Sequence, residues 1–256
     1  MRIAIFSDIH ANLNGLNAVL DDISRRGGAD VLVAAGDLVT DGPRPVETFE
    51  RLLEANCRLI RGNHDEYLLG RGLDMIRPEK REAVWKQTLW AAHKLGPERL
   101  SILEQHPFEL TFSPSDGTTG HDLMVVHANL KNVHGYTGHL EQDEKVLEEL
   151  YGEAPPNVRV IAFGHWHMSS IRHWRGLKLV NVASVAYPKD KAHLAGYTIF
   201  DWDRRSRHWQ IEQHRVSFNW HEEVECLYSC GMPGDTAHLA SFYGVQEQET
   251  AVMLAS

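Results

Sequence analysis

Apolar residues in this chain come in short runs that stop at glycine, carboxylate or imidazole residues. Residues 2–7 carry Ile3, Ile5 and Phe6, a run of the length of a buried strand. Asn12 is suited to cap a helix, and Leu13, Leu16, Leu20 and Ile23 then recur three or four apart. That spacing predicts an amphipathic helix to about Arg26, stopped by Gly27-Gly28. Residues 31–35 predict a second strand, 58–61 a third, and 45–55 a helix between them with Val46, Phe49 and Leu53 on its inner face. Strand and helix alternate, which predicts an α/β unit with parallel pairing.

Residues 66–105 read as helical and amphipathic, with breaks at Pro78 and at Gly96-Pro97. Trp85, Leu89 and Leu95 fit packing onto the sheet more simply than an overhang above a site. Residues 123–126 and 159–163 predict strands, and 143–151 a short charged helix closed by Pro155-Pro156. Short strands at 178–182, 196–201 and 209–216 suggest an antiparallel-rich second half. After Val216 the periodicity weakens. Cys226 and Cys230 lack the second Cys/His pair that a zinc site needs. This tail reads as a helix or loop packed on the rest, so the chain divides into a domain at 1–215 and an extension at 216–256.

Composition narrows the class. With 26 Lys plus Arg against 35 Asp plus Glu among 256 residues, the formal charge is −9. An acidic chain is a poor general ligand for nucleic acid or an anionic membrane. The 43% hydrophobic content excludes disorder as the main character. Three cysteines are too few for a disulfide framework and suggest a reducing, cytoplasmic setting. The first eight residues hold an apolar run too short for a signal peptide, and no window offers the roughly 18 apolar residues of a spanning helix.

The chemistry sits where the strands stop. The first predicted strand leads into Asp8-Ile9-His10, the second into Gly36-Asp37, and the third into Gly62-Asn63-His64-Asp65. The strand at 123–126 leads into His127, and that at 159–163 into Gly164-His165-Trp166-His167. Each piece alone is an ordinary turn. Five apolar runs that each deliver Asp, Asn or His at the carboxyl end form a joint signal, because open α/β sheets place ligand sites there.

These blocks, with Gly42 after Gly36-Asp37, resemble the signatures of the calcineurin-like metallophosphoesterases, most of all the compact bacterial branch of phosphodiesterases and dinucleoside-polyphosphate hydrolases. The resemblance covers roughly residues 1–205. It implies a four-layer α/β/β/α sandwich of two mixed sheets with a two-metal centre on its top edge. Carried over residue by residue, Asp8, His10 and His167 bind the first metal. Asn63, His127 and His165 bind the second, Asp37 bridges both, and His64 is the catalytic histidine. Such ligands, with no thiolate, suit Mn first, with Fe, Zn or Ni as alternatives, rather than Ca or Mg. The implied reaction is attack on phosphorus by a metal-bridging hydroxide.

Departures narrow the substrate. The Ser/Thr protein phosphatases of this superfamily read Gly-Asp-x-Val-Asp-Arg-Gly, where the second Asp orients the catalytic histidine and the Arg grips phosphate. Here Thr40 and Asp41 take those two places, which argues against a protein phosphatase and leaves Asp65 as an alternative orienter or substrate contact. The branch's Asn-Pro-Gly-Ser-Val appears as Asn181-Val182-Ala183-Ser184-Val185, and its His-Gly as His127-Ala128. Arg44, Lys131, His134 and His139 are candidate phosphate contacts, and Trp166 either stacks on a base or shields the metals. The expected partner is a small phosphorylated or nucleotide substrate, without stable nucleic-acid or membrane binding. The favoured activity is hydrolysis of phosphodiesters or nucleotide-type pyrophosphates. The alternatives are a phosphomonoesterase with the same centre and a non-catalytic metal-binding scaffold.

Overall fold

The computed structural model describes residues 1–138, 143–189, 193–234 and 236–243. The chain runs β1 (Arg2–Phe6), α1 (Leu13–Arg25), β2 (Val31–Ala35), α2 (Pro45–Glu54), β3 (Arg58–Ile60) and α3 (Asn63–Leu68). A 3-10 turn at Leu73–Met75 precedes α4 (Pro78–Glu104), β4 (Glu109–Phe112), β5 (Asp122–Val126) and α5 (Glu144–Tyr151). Then come β6 (Val158–Phe163), β7 (Ser169–Trp174), β8 (Leu177–Val182), β9 (Leu194–Asp203) and β10 (His208–Ser217). The tail carries α6 (Trp220–Ser229) and α7 (Thr236–Ser241).

Two mixed five-stranded sheets result, ordered β10-β9-β1-β2-β3 and β4-β5-β6-β8-β7. In the first, β1, β2 and β3 are parallel as predicted, and β9 joins β1 antiparallel. In the second, β5, β6 and β8 are parallel, which is a larger parallel share than the sequence suggested. The period-two alternation of side chains explains the layers. Ile3, Ile5, Val33 and Ala35 of one sheet meet Leu123, Val125, Ala162 and Val180 of the other in a dry inner core. The intervening residues Ala4, Phe6 and Ala34 turn outward onto Leu16, Leu20 and Ile23 of α1 and Phe49 of α2. Met124, Val126, Ile161 and Phe163 turn outward onto Leu147, Leu150 and Tyr151 of α5. The order of layers is therefore α/β/β/α.

Local chemistry sets the helix ends. Asn12 caps α1 by accepting a hydrogen bond from the Gly15 amide at 2.7 Å. Pro45 and Pro78 stand at the first positions of α2 and α4, where a missing N–H costs nothing. Gly96, at φ 73°, kinks α4 next to Pro97.

The structure corrects several expectations. Strands β4 and β7 were not visible in the sequence, because they are the two edges of their sheet and expose alternate residues instead of presenting an apolar run. On α2 Phe49 is buried as expected, but Leu52 is buried with it, while Leu53 is 41% exposed. Along α4, Leu95 is buried as expected, beside Ala91 and Leu103, but Trp85 and Leu89 face outward. The tail has a small core of its own, in which Val224, Leu227, Leu239 and Tyr243 pack on Ala186 and Tyr187.

Candidate metal centre

The carboxyl ends of β1, β2, β3, β5 and β6 lie along one edge of the sandwich, and their following residues turn sharply there. Asp8, His10, Asp37, His165 and His167 all adopt left-handed torsions, with φ of 53, 47, 54, 65 and 59°. Such torsions are costly for residues with a Cβ and persist where the surroundings fix them. The fixing is explicit. The Asp37 carbonyl accepts from the Ile9 and His10 amides at 2.9 and 3.0 Å. Buried Asp65 accepts from the amides of Gly62, Asp37 and Leu38 at 2.8, 2.8 and 3.0 Å, tying the loop after β2 to that after β3. Glycine is required where these loops touch. A Cβ on Gly62 would lie 2.2 Å from Asp37 Oδ1, and one on Gly164 2.6 Å from Asp8 Oδ2.

Two groups of donor atoms converge there. Asp8, His10 and His167 form one, with His167 Nε2 3.4 Å from Asp8 Oδ1. Asp37, His127 and His165 form the other. Asn63 joins the second group, its Oδ1 2.9 Å from His165 Nδ1 and 3.1 Å from His127 Nε2. Asp37 Oδ2 lies between the groups, 3.4 Å from His127 Nε2 and 3.8 Å from His10 Nε2. Backbone carbonyls orient three rings. His10 Nδ1 faces the Thr40 carbonyl at 3.3 Å, His127 Nδ1 that of Ala35 at 2.8 Å, and His167 Nδ1 that of Tyr187 at 3.0 Å. Each therefore turns Nε2 toward the site. Asn63 is oriented the same way, since its Nδ2 donates to the Tyr67 hydroxyl at 3.3 Å and its oxygen faces inward.

Protonation suits a cation. Burial pushes His10 and His165 down to about 3 and His167 well below its ordinary value, so these imidazoles are neutral, the form that ligates. Burial alone would raise Asp37, but His127 foremost, with His64, holds it well below the usual carboxylate range. His127 is the exception among the rings: Asp37 and Asp8 outweigh burial and raise it to about 9, so it gives up a proton on ligating. Three neutral rings, two buried carboxylates and an amide oxygen complete a donor set suited to divalent transition-metal ions.

His64 stands beside the first group, its ring 5.1 Å from that of His10 and edge-on to it. Its amide donates to Asp37 Oδ1 at 2.9 Å. Its Nδ1 lies 3.1 Å from Asp41 Oδ2, an ion-pair distance, and with His10 these residues make a third cluster of donor atoms. Burial lowers the His64 imidazole, but Asp41, Asp37 and Asp65 outweigh burial and leave it above its ordinary value. The carboxylate beside His64 is thus Asp41, one position later than in the protein phosphatases. Asp65 is occupied with backbone amides.

Other candidates lie elsewhere. Arg44 is bonded to Glu223 of α6 at 2.5 Å, with Glu222 at 3.6 Å, so its charge is spent on the tail. Lys131 pairs with Glu153. His134 stacks on Tyr67 at 5.4 Å, and its ring fills the space over Gly72. His139 lies outside the described residues. Trp166 carries the Lys189 ammonium 3.3 Å above its ring centre. The sequence reading missed Tyr187, whose hydroxyl donates to the Asp41 carbonyl and whose ring lies 5.4 Å from that of His10. It also missed Tyr67, although a position one helical turn after Asn63 was a usable signal. Ala183, at the place of the branch's Gly, keeps a glycine-like φ of 77°, and Gly196 makes room for its methyl.

The centre opens onto a cavity of about 560 Å³ whose floor includes His10, His64 and His167. Comparison with known proteins agrees with this architecture. The sequence profile of the calcineurin-like phosphoesterases matches residues 1–196. An uncharacterised protein of Methanocaldococcus jannaschii is 29% identical over 247 residues, covering 90% of this chain and 93% of that one. A symmetrical bis(5'-nucleosyl)-tetraphosphatase of Photobacterium profundum is 29% identical over 163 residues, covering 60% of this chain and 59% of its own length. The crystal structure of a metallophosphoesterase from Sphaerobacter thermophilus superposes with a TM-score of 0.70 at 25% identity, covering 94% of this chain and 99% of that one. The chain belongs to the calcineurin-like phosphoesterase family and is a phosphoester hydrolase.

Proposed function

We propose that the protein is a two-metal phosphoesterase acting on phosphodiesters or nucleotide-type pyrophosphates, with Asp8, His10 and His167 around one ion, Asn63, His127 and His165 around the other, and Asp37 shared. The position of Asp37 Oδ2, within 3.8 Å of a histidine from each group, carries this reading. Two such ions, when bound, neutralise charge on phosphoryl oxygens and make a water acidic enough to ionise near neutrality. The chain's own residues do the rest. His64, held between its amide bond to Asp37 and the Asp41 carboxylate, donates a proton or hydrogen bond to the departing oxygen. Asp65 and the Gly62 and Gly164 approaches keep the ligands in place without the substrate.

Charge favours a diester. The cations lining the cavity are Lys80 and Lys189, and they are matched by Glu79 and Asp41. Arg44 is committed to α6. A monoester dianion calls for more positive charge than a diester monoanion. Mn is the first choice of ion, and the tetraphosphatase relative makes dinucleoside polyphosphates a natural substrate to try. Three free cysteines fit a reducing, cytoplasmic setting. No helix among the described residues is long and apolar enough to cross a membrane.

Initial rates of the Mn-reconstituted chain on a bis-aryl phosphodiester, the matching aryl monoester and a dinucleoside polyphosphate, each with a chelator control, test the proposal. Chelator-sensitive preference for the diester or the dinucleotide is expected. Preference for the monoester establishes the second reading, and a chain with both ions bound that turns over none of the three refutes hydrolysis of this class.

A further inference from the structure

We infer that α7 and the first half of α4 form a recognition subsite for a flat, uncharged ring, a nucleobase or an aryl group, carried by the phosphoryl group at the metal centre. The inference rests on the phosphoesterase reading of that centre. The cavity is lined by two kinds of residue. Beside the histidines of the floor, its lining includes Ala83 and Val84 of α4, Leu239 of α7 and Phe242 just beyond, with the polar Gln87 and His238 on the same two helices. Lys80 and Lys189 lie on the same cavity and suit a phosphate chain running away from the metals. A volume of about 560 Å³ exceeds what a phosphoryl group fills and falls within the range of sites for small organic ligands.

The apolar lining is built rather than incidental. Phe242 packs on Tyr187 at 5.2 Å between ring centres, and Tyr187 packs in turn on His10 at 5.4 Å, so aromatic contacts run without a break from floor to wall. The segment is moored at three further points. Asn12 Nδ2 donates to the Tyr243 hydroxyl at 3.0 Å, Asn14 Nδ2 donates to the Asn219 carbonyl at 3.2 Å, and Arg44 pairs with Glu223. Leu239 and Phe242 lie beyond residue 196, where the family match ends. The catalytic floor and the α4 part of the wall lie within the family match, while Leu239 and Phe242 come from the tail beyond it. Charged groups together with an apolar, aromatic lining match a phosphate bearing a ring better than either inorganic phosphate or a phosphorylated polar chain.

Calorimetric titration of the Mn-loaded full chain with AMP, phenyl phosphate and inorganic phosphate tests this. AMP should bind at least about tenfold tighter than inorganic phosphate, the share that stacking one ring provides. Phe242→Ala combined with Leu239→Ala should bring the ratio to within about twofold while phosphate affinity holds. Equal affinities in the parent chain, which needs no variant to fold, overturn the inference, as does a preference that survives the double substitution. Phenyl phosphate binding as tightly as AMP identifies a general ring site, and its falling to the phosphate level identifies a nucleobase site. A chain that binds AMP through this wall yet hydrolyses no phosphoester keeps the subsite and refutes the hydrolytic reading. Hydrolysis with no ring preference does the reverse.

Discussion

The floor of the cavity holds its residues through backbone hydrogen bonds and left-handed torsions, whereas the wall holds its residues through side-chain packing. On the floor, Asp8, His10, Asp37, His165 and His167 occupy strained torsions that neighbouring loops enforce. On the wall, Val84, Leu239 and Phe242 project from or just beyond α4 and α7, and Leu239 packs in the tail's apolar cluster. Chemistry on phosphorus needs donor atoms fixed within a fraction of an ångström, and only over-determined loops provide that. Recognition of a ring tolerates more movement, so packing suffices.

The sharpest test separates ligand from acid within the floor. Asp37→Asn should lower hydrolysis by at least ~10³-fold and reduce the metal retained per chain, because Asp37 faces both groups. His64→Ala should lower kcat by ~10²–10⁴-fold with metal content unchanged. Elemental analysis beside the rates distinguishes them. If both variants lose metal, the separation of roles is wrong.

Next comes the positioning carboxylate. Asp41→Asn should cost roughly 10–100-fold in kcat with little change in KM, since Asp41 acts through His64. The same loss after Asp65→Asn, with Asp41→Asn neutral, would return the role to Asp65.

A third test addresses the seam between the loop after β8 and strand β9. A Cβ on Gly196 would lie 2.6 Å from the Ala183 methyl, so Gly196→Ala should destabilise the fold by about 2 kcal/mol in urea unfolding. Ala183→Gly in the same chain should recover most of it. It removes the opposing methyl and relieves an alanine at φ 77°. Additive effects would break this coupling.

The smallest effect is at the wall's anchor. Burial pushes the Glu223 carboxyl up to about 7 against the pull of Arg44. The folded chain then holds a proton that the unfolded chain releases at the ordinary 4.5, so this group loses stability as pH rises from about 4.5 to 7. Glu223→Gln should therefore gain roughly 1–2 kcal/mol on the parent between pH 5 and pH 8 in urea unfolding. A difference that stays flat with pH would show that Arg44 fully compensates the buried charge.

Much of the floor was legible because it is local. Asp8-x-His10, Gly36-Asp37, Gly62-Asn63-His64 and Gly164-His165-x-His167 each sit at the end of an apolar run, and a strand's end is a property of its own neighbours in sequence. The inner strands were legible for the same reason, as unbroken apolar runs. The edge strands β4 and β7 were not, because half their residues face water. The partners of Arg44, Lys131 and Asp65 were not legible, because a charge near a motif says nothing of which distant group it pairs with.

The sequence by itself therefore determined the strand–helix alternation, the glycine-bearing turns and the residues gathered at the strand ends, since each depends on contacts within a few residues. Only the tertiary structure decided that Asp41 faces His64, that Asp65 ties two loops together, and that Leu239 and Phe242 close the cavity more than 170 residues from His64. Those outcomes depend on how two sheets and a tail pack, a matter of shape and burial summed over the whole chain that no local pattern records.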